Sequence, residues 1–350
     1  MNLKVDNRMR WVRNLDRLDE EKDAKDEVWE SYEIATEQRI TGLLNYNGKI
    51  LGGLILSPDD KLLNNKLYSY SVKIKFPSGK QPYNIQDASK KGYFFNAGPI
   101  GELISLLSVH YGIRFYQISH TSGELNERSI PLRMEYNYVY FPSKSTICPD
   151  VLVQIKDINW NSANIFLDKV RKLKNFHFPF ITACNLYLRG LREIGVDSEM
   201  FFIRMVSAVE SLTEKLTEGE FKRIFGVKQG GKQQNFITFF SRFSKGFYKG
   251  GKYKARHCKI SKKDAPGRLL AIYDARSRYL HEGESMYLSN MAGYKSWDMD
   301  PSQGMYIDNK KFTPDQKLPY ISWFQRLVRH CLLNFLEESI NTESAINSQK

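Results

Sequence analysis

Six stretches after Asp150 repeat apolar residues every three or four positions, whereas the stretches before Phe141, with one exception, do not. That switch of period divides the chain. The helical stretches are Ser162 to Asn175, Phe180 to Ile194, Ser198 to Thr217, Asn235 to Ser244, Ala265 to His281 and Leu318 to Ile340. Asp197 or Ser198 is placed to cap the third of them, and Gly283 to close the fifth. Ahead of them, "ITGLLNYNGKILGGLIL", "KLYSYSVKIKFPSG" and "LRMEYNYVYFPS" are Tyr-, Val- and Ile-rich runs broken by Asn-Gly, Gly-Gly and Pro-Ser, the pattern of strands and turns. The exception is "GPIGELISLLSVHYG", where Leu103, Leu106 and Leu107 fall at helical spacing. At 350 residues and 41% apolar, the chain is long for a single core. The expected fold class is α+β, a β-rich N-terminal domain over 40–150 followed by an all-α bundle over 151–350. Residues 1–39 form an acidic arm ahead of both. Within it, Asp16 to Glu33 holds nine acidic residues against three basic ones, which predicts an exposed helix or a partly ordered arm. The last ten residues, "NTESAINSQK", are polar and are expected to fray.

The net charge of +13 is local. Between Phe221 and Lys263 there are thirteen Lys or Arg residues and no Asp or Glu, so this segment accounts for the whole excess. A block of that kind attracts polyanions, because each neutralised phosphate releases condensed counterions. Lys245, Lys249, Lys252, Lys254, Arg256 and Lys259 are the candidate RNA contacts. Phe236, Phe239, Phe240, Phe243, Phe247, Tyr248 and Tyr253 are interleaved with the bases, and two compatible readings apply. "FITFFSRF" is a core helix with Lys on its outer face, or the rings are platforms on which unpaired bases stack. Cys148, Cys184, Cys258 and Cys331 lack zinc spacing and are expected as free thiols, with no metal and no cofactor. No apolar run reaches the roughly 20 residues of a membrane span. The first residues lack the apolar core of a signal peptide, so a cytoplasmic location is expected.

The stretch "LLAIYDARSRYLHEGE" places Arg276 and His281 at the end of a helix, with Asp274, Arg278 and Glu282 around them. Together with "FFIRMVSAVESL" earlier and an apolar helix after it, this arrangement resembles the HEPN domain superfamily and, within it, the ApeA-like branch. The resemblance covers about Trp160 to Glu338. It is carried by Tyr273, Arg276, Ser277 and His281, and by Ala208 to Leu212 in the earlier helix. The chain reads "HEG" where many members read "HG", which sets Glu282 beside His281. The resemblance implies a helical bundle that dimerises through its motif helices and acts as a metal-independent endoribonuclease in defence or toxin systems. RNA and a second copy of the chain are then the partners. The β-rich domain is a candidate sensor or partner-binding module for a protein or a ligand.

These residue types suit that chemistry. Cutting RNA without a metal needs a group that can move the proton of the 2'-hydroxyl or the leaving group, histidine is the side chain suited to that, and His281 is the candidate. It also needs fixed positive charge on the phosphate, which the forked donors of Arg276 supply. With the 2'-oxygen as attacking group, the products are a 2',3'-cyclic phosphate and a 5'-hydroxyl. Five residues on a straight helix separate the two side chains by about 140°; the long Arg stem and a loosening of the helix before Gly283 could close that gap, and two motif helices paired across a homodimer could do so better. Ser277 reads as a polar helix residue near the site, because no base is arranged to activate it. Arg278 binds phosphate, pairs with Glu282 or Asp274, or is simply solvated, and the surface pairing is the favoured reading. Glu210, polar on an apolar helix face, is placed to orient Arg276 or Arg278, since a buried carboxylate needs a partner.

Other readings are weaker. "GVKQGGKQ" mimics a phosphate loop, but Gln233 stands where a Ser or Thr should hold magnesium, and no buried strand precedes it. His110, His120, His177 and His330 lie in separate segments and read as structural or surface residues. The competing function is a non-catalytic helical module that binds RNA or a protein. A DNA-binding regulator would need a recognition helix, and no helix-turn-helix is evident.

Overall fold

The computed structural model describes residues 27–36, 39–46, 54–63, 67–77, 98–120, 158–173, 176–194, 197–214, 216–249, 260–284, 286, 305–307, 310–312, 318–319 and 321–347. The acidic stretch departs from expectation first. Glu27–Thr36 is strand β1, paired on both sides in an antiparallel sheet rather than held as an exposed arm. The reason is a period of two beneath the charge: Tyr32, Ile34 and Thr36 fall on one face, and all three are buried. Glu33 takes the opposite face, where it accepts a hydrogen bond from Ser69 Oγ. Residues 16–26 lie outside the described residues.

Strands β2 (Ile40–Thr41), β3 (Leu44–Asn45), β4 (Leu54–Leu63) and β5 (Leu67–Pro77) follow, with β6 (Phe115–His120) after a helix. The sheet order is β3-β4-β5-β1-β6. Cross-strand partners Tyr32↔Val72 and Ile34↔Tyr70 set the core face. Helix α1 (Gly98–Tyr111) is the predicted helical insertion, and it is buried on every side. Its two buried serines are satisfied within the helix: Ser105 Oγ donates to Gly101 O at 2.6 Å and Ser108 Oγ to Ile104 O at 2.7 Å. The run "LRMEYNYVYFPS" lies outside the described residues.

Strand β7 (Ile158–Asn159) pairs in parallel with β2 and opens the helical region. There follow α2 (Asn161–Lys172), α3 (His177–Glu193), α4 (Ser198–Thr213), α5 (Glu218–Phe225), α6 (Lys232–Phe243), α7 (Ala265–Glu282) and α8 (Ile321–Asn347). Helix α8 packs against α1 to α6, and it continues into the tail expected to fray as far as Asn347, residues 348–350 lying outside the described residues. Helix α5 was not expected as a separate helix; a Thr217–Glu220 capping box starts it and Gly226, at φ +74°, ends it. Nor is the second half all-α, since β8 (Met305–Ile307) and β9 (Lys310–Phe312) form an antiparallel hairpin.

The chain is thus mixed α and β and mostly helical, with its main sheet N-terminal. The described parts of the two regions nonetheless share one continuous apolar core, from Tyr32 to Leu336. Arginines join them by donating to main-chain carbonyls across the seam. Arg114, 1% exposed, donates to Leu191 O at 3.4 Å and Ile194 O at 3.3 Å at the end of α3. Arg192 of α3 donates back to Phe115 O at 2.6 Å. Arg329 of α8 donates to Val109 O at 2.7 Å and to His110 O, where α1 ends. Most of these carbonyls lie at helix ends, where main-chain acceptors outnumber donors, and a hydrogen bond from a charged donor contributes about 1.5–3 kcal/mol. Gly112 is required there twice over, by its φ of +75° and because a Cβ would lie 3.0 Å from Arg329 Cδ.

His110 sits in the same joint. Its Nε2 lies 2.9 Å from Ser162 Oγ, and its ring stacks on Phe166 with centroids 4.9 Å apart. Burial, then the charges of Arg329 and Lys169, lower its pKa from 6.5 to about 4. The unfolded chain therefore takes up a proton between these values that the folded chain does not, and stability falls as pH drops through that window. The expected loss at pH 4 is about 3 kcal/mol. Urea unfolding of the wild type and His110→Asn at pH 7, 5.5 and 4 measures it; equal slopes against pH in the two proteins would contradict this assignment.

Candidate active site

Helix α7 turns one flank toward α4. On that flank Arg276 Nη2 donates to Glu210 Oε2 at 2.8 Å and Tyr273 Oη donates to Glu210 Oε1 at 3.0 Å. The side chains of Arg276 and Glu210 are 17% and 9% exposed, so the pair is largely withdrawn from water. The neighbours of Glu210 along α4, Ala208, Val209 and Leu212, are all buried. Burial raises its carboxyl pKa, against the charge of Arg276 and the hydrogen bond from Tyr273. Burial and then Glu210 push the Tyr273 phenol up to about 12, so it stays a donor at neutral pH. Arg276 Nε has no partner among the described residues. That nitrogen is buried, so the guanidinium is held through Nη2 with its Nε withdrawn from solvent.

His281 is exposed on the last turn of α7 and bonds to no described residue, Arg276 included. The wide angular separation survives because α7 runs as a regular helix to Glu282 and ends at Gly283, φ +70°, whose N–H closes on Arg278 O. Ser277, half-buried, lies between them around the axis. Arg278 makes its surface pair with Glu284, Nη1 to Oε2 3.4 Å, and not with Glu282 or Asp274. Asp274 instead accepts from Gln233 Nε2 at 2.8 Å, and Glu282 is exposed. The outer side of α7 also exposes Leu270, at 39%, and Leu280, at 48%.

The basic block behaves differently once folded. Phe236, Phe239, Phe240 and Phe243 are buried in the core of α6, which removes them as platforms for bases; Phe247 and Tyr248 are half-buried against the same core. Three of its bases pair with acids from outside the block: Lys228 with Glu218 at 3.6 Å, Lys232 with Glu214 at 3.0 Å and Arg242 with Glu338 at 2.8 Å. The local excess is thus smaller than the linear count implies. Lys245 is exposed in the turn after α6, where its carbonyl oxygen lies 2.9 Å from His330 Nε2. Lys249 ends a short 3-10 turn, and Lys252, Lys254, Arg256 and Lys259 lie outside the described residues.

The phosphate-loop mimic is a connector. Gly226 caps α5, and Asn235 of α6 binds both the N–H of Gly230 at 2.9 Å and its carbonyl at 3.0 Å. His177, fully buried, lies with Nδ1 3.2 Å from Val170 O. Cys184 and Cys331 are buried free thiols whose pKa values burial raises. Among the described residues no cluster of His, Cys, Asp or Glu is arranged to hold a metal ion, and no helix is long and apolar enough to cross a membrane. Comparison of the chain with protein-family models, curated proteins and solved structures gives no match.

Proposed function

We propose that this protein is a metal-independent endoribonuclease of the HEPN type that cleaves RNA by 2'-hydroxyl attack. The observation that carries the reading is the Glu210–Arg276 pair. A guanidinium anchored on a carboxylate, with a histidine about a turn and a half further along the same helix, suits stabilising a pentacoordinate phosphate beside a proton shuttle. Arg276 holds the phosphate, His281 moves the proton, Glu210 and Tyr273 orient Arg276, and exposed bases such as Lys245 hold the flanking strand. The proposed setting is a defence or toxin system in the cytoplasm.

Arg276 faces α4 while His281 faces outward, so one copy of α7 does not bring both to one phosphate. The proposed active form is a homodimer whose α7 helices meet at the two-fold axis, each supplying His281 to the other's Arg276. Exposed Leu270 supports that packing. The same divergence favours the second reading, a non-catalytic RNA- or protein-binding module.

The deciding experiment is incubation of the purified protein with end-labelled RNA in excess EDTA. Cleavage is expected to persist and to leave 2',3'-cyclic phosphate and 5'-hydroxyl ends, with light scattering giving a dimer at micromolar concentration. Cleavage that requires magnesium and leaves 5'-phosphates sinks the mechanism; a fully active monomer sinks the shared site.

A further inference from the structure

The segment that carries His281 is tied to α4 twice. Arg276 binds Glu210, and ten residues further on Met286 N–H donates to Glu199 Oε1 at 2.6 Å. Met286 is 0% exposed and Glu199 6% exposed, although His281 to Glu284 between the ties are all open to solvent. Glu199 and Glu210 are eleven residues apart on α4, three turns and about 20° of rotation, so both carboxylates project from one face. His281 is midway, five residues from Arg276 and five from Met286.

An exposed helix end closed only by bonds to Arg278 O would fray readily, and fraying at Gly283 would move His281 first. Glu199 is itself well fixed. It lies in the first turn of α4, where a carboxylate complements the helix dipole, beside Asp197, which accepts from Met200 N–H at 2.9 Å. Tyr279, half-buried on the last turn of α7, lies close enough to feel the charges of Glu199 and Asp197.

We infer that Glu199 and Met286 are positioning residues that clamp the end of α7 and hold His281 in place for the reaction proposed above. This deepens that reading and rests on it for its kinetic part, while the clamp itself is read out without activity. The test uses the full chain, with Glu199→Ala removing the acceptor, Glu199→Gln retaining one, Met286→Ala removing the buried side chain and Met286→Leu refilling it. Hydrogen exchange is expected to rise about tenfold or more at amides 279–284 in the two alanine variants, and not in α4 or the first half of α7. Their cleavage rate at saturating RNA is expected to fall about 10–100-fold with RNA affinity unchanged, because a small displacement of a catalytic group is enough for that. Glu199→Gln and Met286→Leu should restore both. Unchanged exchange in Glu199→Ala overturns the clamp even if the wild type cleaves RNA. A cleavage loss that tracks lost RNA affinity or global unfolding overturns the positioning role. If the wild type cleaves nothing while exchange responds as expected, the ribonuclease reading fails and the clamp stands.

Discussion

His281→Ala is expected to abolish detectable RNA cleavage, a loss of roughly 10²–10⁴-fold, with the fold and RNA affinity close to wild type. The separation of effects follows from the position of the ring: it is exposed and bonds to no described residue, so removing it leaves no cavity and no orphaned partner. Arg276→Lys should be severely impaired for a different reason. A lysine ammonium can still meet Glu210, but it is a compact point charge where the guanidinium is a planar fork of donors. Single-turnover assays with each variant, alongside anisotropy for RNA binding, check both. Wild-type cleavage by His281→Ala would leave the binding-module reading in place of the enzyme.

Glu210→Ala is expected to be the most destabilising change in the site. It strips the acceptor from Arg276 and Tyr273 together, and breaking a largely buried ion pair from one side costs about 3–5 kcal/mol. The double variant Glu210→Ala/Arg276→Met should recover part of that loss, because no unpaired charge is then left between α4 and α7. Denaturant unfolding of the wild type, the two single variants and the double variant measures the coupling. A double variant as unstable as the sum of its parts would mean that the pair contributes little beyond its packing.

Elements that bury a stripe were legible from sequence. Phe236, Phe239, Phe240 and Phe243 recur at helical spacing and line α6, and Gly283 ends α7 where a left-handed cap was expected. Glu210 was legible for the complementary reason, since a lone carboxylate on an apolar face implies a partner, and Arg276 is that partner. What stayed hidden depended on contacts distant in sequence or on a weaker signal masked by a louder one. In Glu27–Thr36 the charge concealed a two-residue alternation. In Thr217–Gly226 the basic run concealed a capping box and its closing glycine. Lys228, Lys232 and Arg242 looked unopposed because Glu218, Glu214 and Glu338 reach them only in the folded chain. Met286 and Glu199 share no motif at all; their bond spans 87 positions.

The exchange of arginine caps between α1 and the helical region has a practical meaning for anyone who would graft that region elsewhere. By sequence α1 belongs with the strands, yet its last carbonyls are held by Arg329, and Arg114 just beyond it holds the end of α3. A transplant cut at the change of period near residue 150 would leave behind the helix that fills the bundle and the residue that finishes one of its ends. The smallest portable unit therefore includes residues 98–114, and the seam between the regions is a shared beam rather than a hinge.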